Sequence, residues 1–541
     1  LKAEMLIAMV KRNLYLMLLA LLCFNQSGYS QVWQWSVPVK NVISSESHMA
    51  PEAFLWIPED CKEVKGIILA QHNMLEEGIL EHEVFRKSMG KLGFAEVWVS
   101  PAFDITFNFK DKAAEVFNSI MEDLAHQSGY KELMSTPVIP IGHSALASYP
   151  WNFAAWNPER TLAVISLKGD APQTNLTGSG KPNPDWENRN IDGVPGLMIM
   201  GEYEWWEDRL TPGLDYVRKH PNSPITWYTD AGRGHFDFSD QLVEFLVLYI
   251  EKAAKLRLPG EPNGRLKPVN VQSGYLMDLW NKDGKYGEQM FSYQGFEGDP
   301  SLKSWVFDKE IGKAINAIYK KSKGKTSQYL GFSQKGSILS PQKTHANYHL
   351  KFEPKADGIT FSINAFFADS SRVKKSYEHA KSKISIDKIC GPVQKINDTT
   401  FQIAPYRIGL NNTKRSNDIW LLASNEGDKK YKGIVQQANL KFPLTNKEGR
   451  KQNIEFYPIK DQQIGTQSVR LQAVSDAALK VDYYVKAGPA MVENGELLLT
   501  KIPPSAKFPI KVTVVAWQYG TSTGNKVQSA LPVERSFYIT K

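Results

Sequence analysis

Between residues 53 and 257, short apolar runs alternate with helix-patterned stretches; after residue 345 the helical pattern stops. This change of period constrains the fold more than any other feature of the chain. The runs "AFLWIP", "VKGIILAQ", "AEVWVSP", "TPVIPIG", "TLAVISLKG", "VPGLMIMGE" and "PITWYTDAG" are continuous rather than alternating. Between them lie helical patterns such as "DKAAEVFNSIMEDLAHQSG" and "DFSDQLVEFLVLYIEKAAKL". Strands apolar on both faces, separated by helices, predict an α/β fold with a mostly parallel sheet covered on both sides. In such sheets ligands gather outside the carboxyl ends of the strands.

Beyond residue 345, "YHLKFEPKADGITFSINAFF" and "IWLLASNEGDKKYKGIVQQANLKFPL" alternate in the strand manner between turn residues. Evenly spaced short strands predict all-β sandwich domains. Residues 261–345 read as a linker and connecting segment, with "KEIGKAINAIYKKSKG" helical and "SYQGFEGDPSLKSWVF" irregular. The 541 residues exceed a single core and divide as 1–30, 31–260, 261–345, 346–450 and 451–541. The first piece is set apart by composition. Lys11 and Arg12 precede the apolar "NLYLMLLALLCF", and small residues follow at Gly28 and Ser30. That order predicts a secretory signal peptide removed after Ser30, and a secreted or periplasmic product. The apolar run is short of the roughly 20 residues a membrane span needs, and no later stretch is long and apolar enough. Cys61 and Cys390 then remain, too far apart to imply a disulfide framework or a metal site.

Net charge is uneven. Residues 31–260 hold 20 Lys and Arg against 31 Asp and Glu, whereas residues 261–541 hold 42 against 25. The basic residues are scattered among strands, which predicts a solvated surface rather than a nucleic-acid site. An anionic polymer is the partner a basic half would favour.

The chemistry concentrates at strand ends. In "PVIPIGHSALASYPW" an apolar run leads directly to Gly142-His143-Ser144, which is how a nucleophilic serine is displayed on a strand-to-helix turn. Leu146 stands where that pattern has a small residue. His235 lies in "DAGRGHFDF", a glycine-bearing loop before the last helix, where an imidazole can swing over the sheet as general base. Acids end the strands between them, at Asp170, Glu202 and Glu204.

Nucleophile, acid and histidine in this chain order make residues 45–257 resemble the α/β-hydrolase superfamily. The resemblance implies Ser144, His235 and an acid as a catalytic triad. The superfamily's acid lies three residues beyond a strand-ending glycine, here Gly201, which selects Glu204 with Glu202 and Asp170 as alternatives. It also implies an oxyanion hole built from the backbone N–H of Ala145 and that of Asn73 or Met74, with Asn73 replacing a usual glycine. "DQQIGTQSVRLQA", "LKVDYYVKAGPAMV" and "VTVVAWQYG" resemble the immunoglobulin-like modules appended to exported bacterial enzymes.

No His-Glu-x-x-His, phosphate loop or dinucleotide fingerprint is present. No metal or other cofactor is implied, and no aspartate nucleophile is visible. The insertion "APQTNLTGSGKPNPDWENRNID" is polar, unlike a lid made for an oil surface. Trp151, Trp156, Trp186, Trp205 and Trp206 lie near the site in sequence, where exposed indoles would stack on sugar rings. The expected function is an exported serine hydrolase acting on soluble carboxylic esters, with carbohydrate-linked acyl groups as the favoured class. The alternatives are a serine peptidase using the same triad, or a non-catalytic binding protein on a hydrolase scaffold.

Overall fold

The structure is a computed structural model and describes residues 32–176, 181–260, 264–281 and 287–541. The expected signal segment therefore lies outside the described residues, as do residues 177–180 of the polar insertion. Among the described residues, no helix is long and apolar enough to cross a membrane.

Each apolar run becomes a strand. In chain order the first region contains β1 (Trp35–Pro38), β2 (Glu52–Trp56), β3 (Gly66–Gln71), α1 (Glu76–Leu80), α2 (Glu83–Leu92), β4 (Phe94–Ser100), α3 (Ala113–Ser128) and β5 (Val138–His143). It continues with α4 (Tyr149–Trp156), β6 (Val164–Leu167), β7 (Gly196–Gly201), α5 (Glu207–Lys219), β8 (Ile225–Asp230) and α6 (Asp240–Arg257). The eight strands form one sheet in the order β1-β2-β4-β3-β5-β6-β7-β8. Strand β2 runs antiparallel to both neighbours, and the pairs from β4 to β8 are parallel. This is the α/β-hydrolase fold. Every residue of β3 to β8 is buried, which is why their apolar runs do not alternate. Ile68, Ile139 and Ile165 face α2 and α6, while Leu69, Val97 and Val138 face α3 and α4.

The connecting segment is divided between its neighbours. Strands β9 (Tyr275–Met277), β10 (Met290–Ser292) and β11 (Ser304–Val306) form a small sheet, followed by α7 (Lys309–Tyr319). Their apolar side chains join the hydrolase core, and Trp227 N–H donates to Ser304 Oγ at 2.9 Å. The stretch read as irregular, residues 292–307, thus takes in the end of β10 and all of β11, strands of three residues and too short to show a period. Strand Tyr329–Gln334 instead pairs with Asn364–Ala368 of the next region.

The C-terminal half is built of mostly antiparallel sheets, with His349–Leu350 and Gln462–Gln463 pairing parallel to their neighbours. In the middle β unit, Ser385–Cys390, Asp418–Asn425, Ile434–Lys441 and His349–Leu350 form a four-stranded sheet. Three shorter strands, Thr360–Ser362, Thr400–Ile403 and Val393–Asn397, form a second sheet sharing its apolar core. The last unit is centred on Ile510–Trp517 and Val533–Thr540. Its Phe456, Leu471 and Val512 belong to the same apolar cluster as Phe117 and Leu124 of α3. Cys61 and Cys390 are both free and buried.

Candidate active site

Ser144 follows the last residue of β5 and has φ +52°. A non-glycine residue in the left-handed region is strained, and such strain persists only where the surroundings impose it. Here they do. Residues 144–146 form a single 3-10 turn between β5 and α4. A side chain on Gly142 would meet the Leu146 carbonyl oxygen at 2.0 Å, so only glycine permits the chain to double back this closely. The Leu146 side chain lies on the other side, 2% exposed, in the cluster of Leu69, Tyr149 and Phe153. The small residue is needed one position later, where Ala147 Cβ would stand 1.9 Å from a Cβ on Gly169. Leu146 is thereby accommodated: what must be small is what faces Gly169.

His235 Nε2 lies 2.7 Å from Ser144 Oγ. Its Nδ1 pairs with Glu204 Oε2. Glu204 is set by the short turn after β7: its Oε1 accepts the Gly201 N–H at 3.0 Å, and its Oε2 accepts from Arg209 at 3.0 Å. Burial would raise this carboxyl, but the charges of His235, Lys168 and Arg209 outweigh it and hold Glu204 at about 2. An ionised acid holds the imidazole by Nδ1 and leaves Nε2 free to take the serine proton.

The alternative acids lie elsewhere. Glu202 is turned away from His235: its Oε2 accepts the Gly232 N–H at 2.8 Å and the Ser322 hydroxyl, and its Oε1 accepts Lys432 Nζ at 2.7 Å. Asp170 is fully buried at the end of β6, its carbonyl bonded to Trp151 Nε1 at 2.7 Å. The expected oxyanion donors divide. Among the described residues no group outside the 144–146 turn accepts the Ala145 N–H. The Asn73 and Met74 N–H groups both donate to Glu76 Oε2, at 3.3 and 3.0 Å. In this conformation they are therefore engaged rather than open.

Several supporting residues escaped the sequence reading. Glu76 is 1% exposed, and its other oxygen accepts the His143 N–H at 2.7 Å. Burial raises it to about 7, against the pull of these N–H groups. Its acidity within the apolar "NMLEEGIL" was the available signal. His143 is fully buried; burial and the neighbouring His235 hold its pKa well below the usual histidine value. As a neutral ring it accepts from Asn73 Nδ2 at 3.2 Å and donates through Nε2 to the His235 carbonyl at 3.0 Å. Lys168 and Asp230 form a buried pair at 2.7 Å beneath the loops, visible in sequence only as a lysine inside "AVISLKGD".

His72 braces its loop through Ser100 Oγ at 2.7 Å. Of the tryptophans, Trp151 and Trp186 are core residues, while Trp206 is 41% exposed with Arg209 over its ring. The second half of the polar insertion is tied down at two points: buried Asn152 bonds both Asn183, at 2.9 Å, and Trp186 Nε1, at 2.7 Å. A cavity of about 650 Å³ lies away from the triad, between the β1–β2 edge, residues 407–412 and the last β unit. Among the described residues, no group of three His, Cys, Asp or Glu side chains could hold a metal ion.

No family model matches this chain, and no curated protein matches it. Solved structures do. A fluorophosphonate-binding serine hydrolase of Staphylococcus aureus is 15% identical, with 40% of this chain and 97% of that one covered at a TM-score of 0.27. A dienelactone hydrolase from Anabaena variabilis is 17% identical, covering 42% and 100%, at 0.29. Est1E from Butyrivibrio proteoclasticus is 12% identical, covering 41% and 96%, at 0.27.

Proposed function

We propose that the protein is a serine hydrolase of the esterase type, cleaving carboxylic esters through Ser144, His235 and Glu204. The observation that carries this reading is the single line of contacts from Ser144 Oγ to His235 Nε2, at 2.7 Å, and from His235 Nδ1 to Glu204. Ser144 Oγ attacks the ester carbonyl as His235 Nε2 removes its proton. The alkoxide leaves with that proton, and an acyl-enzyme remains. Water, deprotonated in turn by His235, releases the acid and restores Ser144. Glu204 stays ionised and stabilises the imidazolium in both halves. The Ala145 N–H is one donor to the oxyanion.

The polar composition of residues 171–192, with Asn183 and Trp186 anchored on Asn152, favours a water-exposed substrate, and an exposed indole at Trp206 suits a sugar ring. Carbohydrate-linked acyl groups are therefore the proposed class. The basic start of the chain and its apolar run support export through residues 1–30, and the antiparallel C-terminal units are read as immunoglobulin-like modules. Labelling by a fluorophosphonate, abolished in Ser144→Ala, tests the nucleophile. Faster turnover of p-nitrophenyl acetate than of peptide p-nitroanilides is expected; the reverse order would make the protein a peptidase, and no labelling of folded protein would leave a binding role.

A further inference from the structure

The loops that carry the triad are held from outside the hydrolase fold. Three loops surround Ser144: residues 72–75 after β3, residues 202–206 after β7, and residues 231–239 after β8. Each is gripped by the middle β unit. Arg415 Nη1 donates to the Asn73 carbonyl at 2.9 Å, while its Nε donates to Glu46 Oε1 at 3.1 Å. Lys432 Nζ donates to Glu202, two residues before the acid. The Tyr203 hydroxyl, between Glu202 and Glu204, donates to the Gly433 carbonyl. Phe236, next to His235, packs on Trp420 with ring centroids 5.1 Å apart.

The Arg415 contact is made to a main-chain atom of its loop, and the others are made to loop side chains. The Asn73 carbonyl and the Met74 N–H belong to one peptide plane. Arg415 holds that plane by its carbonyl and Glu76 holds it by its N–H, so its orientation is fixed from both edges. Glu202 spans from the acid turn to the Gly232 N–H of the histidine loop, and Tyr203 N–H donates to the Arg233 carbonyl at 3.0 Å. Glu202 is 8% exposed, and a carboxylate this buried needs partners for its oxygens. Lys432 is the cationic partner, beside the Gly232 N–H and the Ser322 hydroxyl. The acid turn and the histidine loop are thus locked together by a carboxylate whose counter-charge comes from another unit of the chain.

We propose that the middle β unit is a working part of the active site, with Arg415 as positioning residue for the loop at Asn73 and Lys432 as positioning residue for the acid and histidine loops. The inference rests on the serine-hydrolase reading above. An error of about 1 Å in a catalytic group is enough to cost a hundredfold in rate. Removing either grip therefore acts on the rate of acyl transfer rather than on substrate affinity.

The test uses the full chain, p-nitrophenyl acetate as substrate and a fluorophosphonate to titrate Ser144. In Arg415→Ala and in Lys432→Met, kcat is expected to fall about tenfold or more, with KM within about threefold and slower labelling of Ser144. Arg415→Lys and Lys432→Arg should restore most of kcat. Thermal melts confirm that each variant is folded at the assay temperature, and Glu46→Gln weakens docking beside Arg415 without removing the bond to Asn73. A kcat within about twofold of wild type in both alanine and methionine variants would overturn the inference. So would an equal loss in Glu46→Gln, which would make docking alone responsible. If the wild-type chain is not labelled at all, the serine-hydrolase reading falls and this inference falls with it; labelling with unchanged kcat in the variants removes only the inference.

Discussion

The hydrolase region and the C-terminal β units use charge in opposite ways. Residues 31–260 carry 11 more acids than bases, and residues 261–541 carry 17 more bases than acids. Part of that contrast is answered inside the molecule. Glu77 and Glu81 of the first region meet Arg407, Glu46 meets Arg415, Glu202 meets Lys432, and exposed Asp60 meets Lys501. A half that reads in sequence as a basic surface is, at these positions, the complement of an acidic one in the same chain. The contrast also has a depth. Three carboxyls of the hydrolase region are pushed up by burial, Glu76 and Glu77 to about 7 and Asp237 to about 6, whereas Glu204 is held down by His235 and its basic neighbours. Asp369, Asp428 and Asp476 of the β units lie below their usual value, held by hydrogen bonds from Ser371, the Tyr431 N–H and the Asn453 N–H. The raised acids of the first region are buried, and these three of the second sit in exposed turns.

The sharpest break of this comparison lies within the acid turn. Glu204→Gln should lower kcat on p-nitrophenyl acetate by about 10³- to 10⁴-fold, because the imidazole loses its ionised partner. Glu202→Gln, which touches the β unit and not His235, should cost about tenfold. Steady-state kinetics on both variants would reassign the acid if the two effects were exchanged.

Arg407→Ala tests the union of the two regions. It leaves Glu77 and Glu81, 8% and 13% exposed, without their shared guanidinium. The expected loss is about 3–5 kcal/mol in denaturant unfolding. A loss below about 1 kcal/mol would mean that the Arg407 pairs add little and that apolar packing with the remaining ion pairs holds the interface.

Within the hydrolase region, Leu146→Gly restores the small residue usual at this turn. It should leave labelling of Ser144 intact and cost about 3 kcal/mol of stability, because a buried side chain is lost from the core. Loss of labelling without loss of stability would show that Leu146 shapes the turn itself.

The smallest effect concerns pH. A raised carboxyl stabilises the folded state fully below its unfolded value, 4.5 for Glu and 3.8 for Asp, and this is lost as pH rises through 6 to 7. A lowered carboxyl contributes above 3.8, and its contribution is lost as pH falls through the folded value. Raising pH from 5 to 8 should therefore loosen β3 and β5 relative to Ile510–Trp517. Hydrogen exchange, corrected for intrinsic rate, measures it; an equal response in both regions would remove the electrostatic contrast.

Much of the fold was legible because burial on two faces leaves a continuous apolar run. Strands β3 to β8 follow the quoted runs closely. Strand β1 and strands β9 to β11 were not legible, since three or four residues display no period. Ser144, His235 and Glu204 could be picked out because each stands just past a strand, beside a glycine that marks the turn. Local sequence ranks Glu202 and Glu204 almost equally; they differ by which way a short turn aims each carboxylate, and that is set by Gly201, Arg209 and Lys432.

By itself, then, the sequence determined the alternation of strands and helices, the change to antiparallel strands, and the residue types at the strand ends, because these depend on neighbours within a few positions. Only the tertiary structure decided which acid meets His235, where the Leu146 side chain goes, and that Arg415 and Lys432 hold loop residues more than 200 positions away. Those outcomes depend on contacts between distant segments, whose free energy exists only once the units have docked and left no water to take the place of a partner.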